Sequence, residues 1–111
     1  MGVEIVSNPL RVSALLSGEI DHHTAAALRA EIDTHAAAQQ SKVLRLDFSS
    51  VTFMDSSAVG LIMGRYRLIQ SWNGKLEVTN LDERSYKMMQ LAGLQALCTL
   101  SKKSNEVDED E

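Results

Sequence analysis

The chain has 111 residues, 44% of them apolar and 23% charged; these are the proportions of one ordinary globular domain and exclude wholesale disorder and fibrous or collagen-like states. Its longest uncharged stretch, residues 88–101, spans 14 residues, short of the 18 or more that a membrane helix requires. The net charge of -4 is concentrated at one end: residues 101–111 hold two lysines against five acids and carry -3, which leaves -1 for residues 1–100.

In chain order, residues 3–7 predict a weak first strand, turned by Asn8-Pro9 into a second. There Leu10, Val12, Ala14 and Leu16 alternate with Arg11 and Ser13, the period of a half-buried strand. Asp21 is a good N-cap for a first helix with Ala25, Leu28, Ile32 and Ala36 on one stripe. Alternation returns in Leu44, Leu46 and Phe48 against Arg45 and Asp47. A second helix follows Asp55-Ser56-Ser57, with Val59, Ile62, Met63, Tyr66 and Ile69 as its stripe and an end near Asn73-Gly74. Leu76 and Val78 alternate with Lys75, Glu77 and Thr79. A third helix runs from about Asp82 to Ala92 and stops at Gly93. A last short element, residues 96–100, reads equally as strand or helix.

Each strand keeps one polar face, so the helices are expected to cover mainly one side of the sheet. The expectation is a mixed α/β domain over residues 1–100, with a sheet of about four strands and right-handed crossovers. Residues 101–111, with Val107 as their only large apolar side chain, are expected to form a disordered, acidic, solubilising tail. The start Met1-Gly2-Val3-Glu4 lacks the pattern of a secretion signal, and the single Cys98 makes no internal disulfide. Both features predict a cytoplasmic protein without membrane association. There is no basic stripe to neutralise phosphates and there are only five aromatic residues, so direct nucleic-acid binding is not expected.

In an α/β unit, functional groups collect beyond the carboxyl ends of parallel strands, where loops enter helix N-termini. Two segments qualify: residues 17–24, containing Gly18, Glu19, Asp21, His22, His23 and Thr24, and residues 53–57, containing Asp55, Ser56 and Ser57. Parallel pairing would set them side by side. Asp21-His22-His23 has ligand-type side chains, but consecutive helical residues splay about 100° apart and cannot all face one ion. No metal and no cofactor is expected. Ser56 or Ser57 as a hydrolytic nucleophile would need His22 or His23 as base, without the glycine-flanked elbow of serine hydrolases.

The simplest role for Asp55-Ser56-Ser57 is N-capping. A second role is modification: a phosphate there would add roughly 1.5 to 2 negative charges beside the positive end of a helix dipole and free N–H donors, and would repel an acidic partner. Gly60 and Gly64, four apart on the second helix, predict close approach to a neighbouring helix or, as the second reading, an adaptable helix. Met54, Met63, Met88 and Met89 are core filler or an adaptable surface, with at least one of Met88 and Met89 facing outward. Trp72 is expected to be a partly buried anchor.

The segments Gly18-Glu19-Ile20-Asp21-His22-His23-Thr24 and Phe53-Met54-Asp55-Ser56-Ser57-Ala58-Val59-Gly60-Leu61-Ile62-Met63-Gly64-Arg65-Tyr66 resemble the anti-sigma factor antagonists of the STAS domain family. The resemblance covers residues 3–100 and is strongest to the sporulation branch. It implies a protein that acts by binding and is not an enzyme: it would engage an anti-sigma factor that is also a serine kinase, and release the sigma factor. It also implies phosphorylation at Ser56, with Ser57 as second choice, and restoration by a serine phosphatase. Gly18, Glu19, Asp21, His22, His23, Thr24, Asp55, Ser56, Ser57 and Gly60 would form the partner face of a protein that is monomeric when free. Ala58-Val59 stands where the family often has Gly-Leu. A stress-response antagonist, a passive scaffold or ligand-binding module, and a hydrolase using Ser56 and His23 are the alternative readings.

Overall fold

The computed structural model describes residues 2–103. Five strands form one sheet in the order β1-β2-β3-β4-β5. β1 (Gly2–Ser7) runs antiparallel to β2 (Arg11–Ile20). β3 (Val43–Met54), β4 (Lys75–Leu81) and β5 (Thr99–Lys102) then add in parallel. Three helices make the crossovers: α1 (His22–Gln39), α2 (Ser57–Gln70) and α3 (Glu83–Leu91). The Asn8 side chain accepts from the N–H groups of Leu10 and Arg11, both at 2.9 Å, and so closes the β1–β2 turn.

The alternation seen in the sequence sorts the sheet into two faces. Val12, Ala14, Leu16, Leu44, Leu46, Phe48, Leu76 and Val78 are buried, in one core with Leu28 and Ile32 of α1, Ile62 and Ile69 of α2, and Met89 of α3. Each of these Val, Leu, Ile, Phe and Met side chains stabilises the fold by roughly 1.5 to 3 kcal/mol relative to leaving it in water. The opposite face holds half-buried Arg45, Glu77 and Asp47; Arg45 Nε pairs with Glu77 Oε1 at 3.0 Å, and Asn80 donates to Asp47 at 3.0 Å.

The mixed α/β sheet is as expected, with a fifth strand where the ambiguous last element divides: residues 94–96 make a 3-10 turn, and Thr99–Lys102 join the sheet edge. β5 thus continues past residue 100, while residues 104–111, most of the expected acidic tail, lie outside the described residues. β2 and β3 also run on to Ile20 and Met54, so Gly18, Glu19 and Phe53 are strand ends rather than loop. Gly18 accommodates an irregularity in the pairing with a φ of 80°.

The buried line of α2 is Ala58, Leu61, Ile62, Arg65 and Ile69, with Val59, Met63 and Tyr66 half-buried at its flank. A search for apolar spacing passes over Arg65 because of its charge. Finally, Gly60 and Gly64 do not serve close packing: a Cβ at either would meet nothing within 4 Å. Gly74 is the glycine that tight packing requires. Its Cβ would collide with Ile69 Cγ1 and stand 3.0 Å from the Ser41 carbonyl oxygen. Trp72 closes the same corner as the expected anchor, half-buried with its indole N–H donating to Ser41 O at 2.8 Å.

Candidate functional site

Parallel pairing of β2 with β3 sets Glu19 opposite Phe53 and Ile20 opposite Met54. The two segments therefore emerge together at the carboxyl edge of the sheet, and the Asp55 N–H donates to Ile20 O at 3.2 Å. One leads into α1 and the other into α2.

At the start of α1, Asp21 Oδ1 accepts from the N–H groups of His23 and Thr24 at 2.9 Å, while Thr24 Oγ1 accepts from the Asp21 N–H at 2.9 Å. This reciprocal cap satisfies donors that an uncapped helix leaves free. Thr24 Oγ1 also donates to Glu19 O at 3.1 Å, which ties the cap to the end of β2. His22 and His23 are exposed, their rings 5.6 Å apart and edge to face. Among the described residues no three His, Cys, Asp or Glu side chains are grouped to share a metal ion.

At the start of α2 the cap comes from Asp55. Its Oδ1 accepts from the Ser57 N–H at 2.8 Å and from Ser57 Oγ at 2.5 Å. The N–H groups of Ala58 and Val59 donate to the carbonyls of Asp55 and Ser56. The first-turn N–H groups of Ser57, Ala58 and Val59 are thus already bonded, whereas among the described residues the Ser56 N–H has no partner and stays open to a phosphate. Ser56 stands at the N-cap with φ -65° and ψ -12°, exposed, and among the described residues its hydroxyl makes no hydrogen bond. The two serines therefore differ: Ser57 Oγ is held and half-buried, Ser56 Oγ is free. No hydrogen bond joins Ser56 to His22 or His23 among the described residues.

The site is acidic. The hydrogen bonds from Ser57 hold the Asp55 carboxyl below the ordinary carboxylate value, opposed by nearby Asp21 and aided by His22. The Thr24 N–H chiefly does the same for Asp21, and Ser85 for Asp82, the N-cap of α3. A carboxyl whose folded pKa lies below its unfolded value of 3.8 stabilises the fold above that value, and the contribution is lost as pH falls through the folded pKa. Asp33 runs the other way: burial raises its pKa, so its contribution is present at low pH and lost as pH rises through the folded value. With the lowered groups in the majority, unfolding free energy is expected to fall between about pH 5 and about pH 2. Chemical denaturation across that range checks this; Asp21→Asn, which retains a capping oxygen, should flatten the slope.

Two features of this surface escape sequence reasoning. Phe53, across from Glu19, is 47% exposed, an apolar anchor at the strand end; its place in the strand's outward parity is the signal that could have identified it. The second is a groove of about 470 Å³ between α1 and α2, floored by Gly60 and Gly64 and lined by His22, Arg29, Arg65 and Arg67. Of the expected partner residues, Glu19, His22, His23, Asp55, Ser56 and Gly60 are exposed; Gly18, Asp21, Thr24 and Ser57 are half-buried and shape the local backbone.

A model of the STAS domain family matches residues 9–107. The anti-sigma F factor antagonist of Paenibacillus polymyxa is 35% identical over 79 residues, which is 71% of this chain and 68% of that protein. The anti-sigma-B factor antagonist of Bacillus subtilis is 29% identical over 104 residues, 94% of each chain. Solved structures of the anti-sigma factor antagonist SpoIIAA superpose with TM-scores of 0.77 for the unphosphorylated form (28% identity, 97% of this chain and 95% of that one) and 0.71 for the phosphorylated Bacillus form (27%, 99% and 100%). With its sequence matched over residues 9–107 and its fold shared across nearly the whole length of SpoIIAA, this chain belongs to the STAS domain family.

Proposed function

We propose that this protein is an anti-anti-sigma factor: it binds an anti-sigma factor that is also a serine kinase, frees the sigma factor, and is switched off by phosphorylation of Ser56. The observation that carries the reading is the free Ser56 hydroxyl at the start of α2, beside Asp21 and Asp55 on a surface built from two strand ends and two helix N-termini. Ser57 is the weaker acceptor because its hydroxyl is committed to Asp55.

The chemistry supports a switch by charge. A phosphoryl group would turn a neutral hydroxyl into roughly 1.5 to 2 negative charges. With the N–H groups of Ser57, Ala58 and Val59 already bonded, only the Ser56 N–H is open to the new charge, which faces whatever docks on the surface. A partner acting as kinase must place its nucleotide close to Ser56, so the group it transfers is the one that expels it. A serine phosphatase would reset the protein. The surface acts by recognition, and nucleotide belongs to the partner.

Within the matched segment the identity to two sigma F antagonists, 35% over 79 residues and 37% over 81, is higher than the 29% over 104 residues to the sigma-B antagonist, and this supports a sporulation role over a stress-response one. The test is displacement: added to a preformed complex of sigma factor and anti-sigma factor from the same genome, the unphosphorylated protein should release sigma factor in proportion to its concentration. An anti-sigma factor that retains its sigma factor at saturating protein would overturn the reading.

A further inference from the structure

β1 is an open edge of the sheet, and its pairing with β2 fixes which of its backbone groups face outward. At the hairpin the Asn8 N–H donates to Arg11 O at 2.9 Å and the Arg11 N–H to Asn8 O at 3.3 Å, so this pair exchanges both bonds. In an antiparallel ladder such pairs recur at every second residue. With Ser7 opposite Val12 and Gly2 opposite Ser17, the bonded positions on β1 are Val6, Glu4 and Gly2. The N–H and C=O groups of Val3, Ile5 and Ser7 therefore point away from the sheet, and among the described residues no side chain or loop group meets them.

The two edges of the sheet differ. β5 has four residues and ends in Lys102, which stands 3.3 Å from Glu83 and 5.1 Å from the Tyr86 ring, with Lys103 next in the chain. A short strand with lysines at its end is a poor template for further pairing. β1 has six residues, none of them lysine, arginine or proline, and its Val6 is 54% exposed. We propose that β1 pairs antiparallel with β1 of a second copy of this chain, Ile5 opposite Ile5 on the two-fold axis, so that the two sheets become one. In this register every outward residue of β1 finds a partner, Val3 with Ser7 and Ile5 with Ile5, and each such pair exchanges two bonds. Glu4 falls opposite Val6 of the second copy, whereas sliding one strand by two residues sets either Glu4 against Glu4, which like charge disfavours, or leaves Val3 unpaired. α1 packs over β1 and β2, and the small exposed side chains Ala27, Ala30 and Thr34 on its outer flank leave room for a second α1 at the separation of packed helices, about 8–10 Å. The two-fold axis is then perpendicular to the sheet, the carboxyl edges of the copies point in opposite directions, and both Ser56 surfaces stay open. The pairing departs from the monomer that the family resemblance implies, and it does not depend on what binds at Ser56.

Sedimentation equilibrium and amide exchange of the full chain, from micromolar to millimolar concentration, test the pairing. The expected result is a reversible dimer in which the amides of Val3, Ile5 and Ser7 pass from fast exchange to protection as concentration rises. Val6→Glu, at an exposed position, sets like charges opposite each other on both sides of the axis and should raise the dimer dissociation constant about tenfold. Adding Glu4→Lys to Val6→Glu makes both contacts oppositely charged and should bring the constant back to within about threefold of the native value. Unchanged dispersion of the core amides verifies that both variants are folded. A monomer at every concentration, a dimer as tight with Val6→Glu as without it, or a loss that Glu4→Lys does not reverse would overturn the proposal. So would protection that appears on Thr99 and Ser101 of β5 in place of β1.

Discussion

Ser56→Asp is expected to weaken binding to the anti-sigma partner by tenfold or more, while Ser56→Ala binds like the unmodified protein and cannot be switched off. Tenfold corresponds to about 1.4 kcal/mol, within reach of one like-charge contact at an interface that excludes water. The local geometry makes the effect direct. Asp55 already caps α2 through Ser57, so of the N–H groups at this helix start only that of residue 56 itself is open to a carboxylate there. Asp21 is close enough to oppose the ionisation of Asp55, and a third acid deepens that field. Titration calorimetry with the anti-sigma factor measures the difference. Equal affinities for Ser56→Asp and the native protein would argue against a charge switch. Weakening by Ser57→Ala alone would instead indicate that the α2 cap, rather than the free hydroxyl, shapes the surface.

The largest expected effect on stability lies away from this surface, in the pair that joins α1 to α2. Arg65 Nε stands 2.7 Å from Asp33 Oδ1, and Arg65 Nη1 donates to Leu61 O at 3.3 Å. The arginine is 5% exposed, whereas the Asp33 side chain is 33% exposed. Asp33→Asn leaves a guanidinium buried without its counter-charge. Breaking a fully buried pair costs about 3–5 kcal/mol; because Asp33 reaches solvent and its burial already favours the neutral carboxyl, only about 1 kcal/mol is expected here. For a domain of this size that lowers the unfolding midpoint by about 4–8 °C. Replacing both residues with apolar side chains, Asp33→Leu with Arg65→Met, should recover most of the loss, because desolvation of both charges is then avoided. Thermal unfolding of the three proteins decides the matter. A shift within about 0.5 kcal/mol for Asp33→Asn would mean the pair contributes no more than a surface bridge.

The legible parts of this fold share one physical property: they are governed by local periodicity or by a single capping interaction. Leu44, Leu46 and Phe48 announced a strand with one wet face, and Asp21 announced a helix start, because period and cap are written within a few residues. Parallel pairing of the two strand ends followed from the crossover rule, and it brought Ser56 beside Asp21. The illegible parts depend on residues far apart in sequence. Arg65 is buried because Asp33, 32 positions earlier, meets it across the helix interface. β5 exists because residues 99–102 find the β4 edge, which a four-residue pattern does not announce. Gly60 and Gly64, two glycines four apart, are compatible with both a tight contact and an open groove, and only the neighbouring helix decides which. The assignment of the cap to Asp55 also needed coordinates, since Asp55, Ser56 and Ser57 all carry suitable oxygens. That detail separates a committed hydroxyl on Ser57 from a free one on Ser56.

The most direct test of the account is the intact mass of the protein after incubation with ATP and the anti-sigma kinase of the same genome, with Ser56→Ala treated in parallel. The account predicts one added phosphate on the native chain and none on the variant. A phosphate that persists on Ser56→Ala, or a native chain that binds the kinase tightly and acquires none, would contradict it.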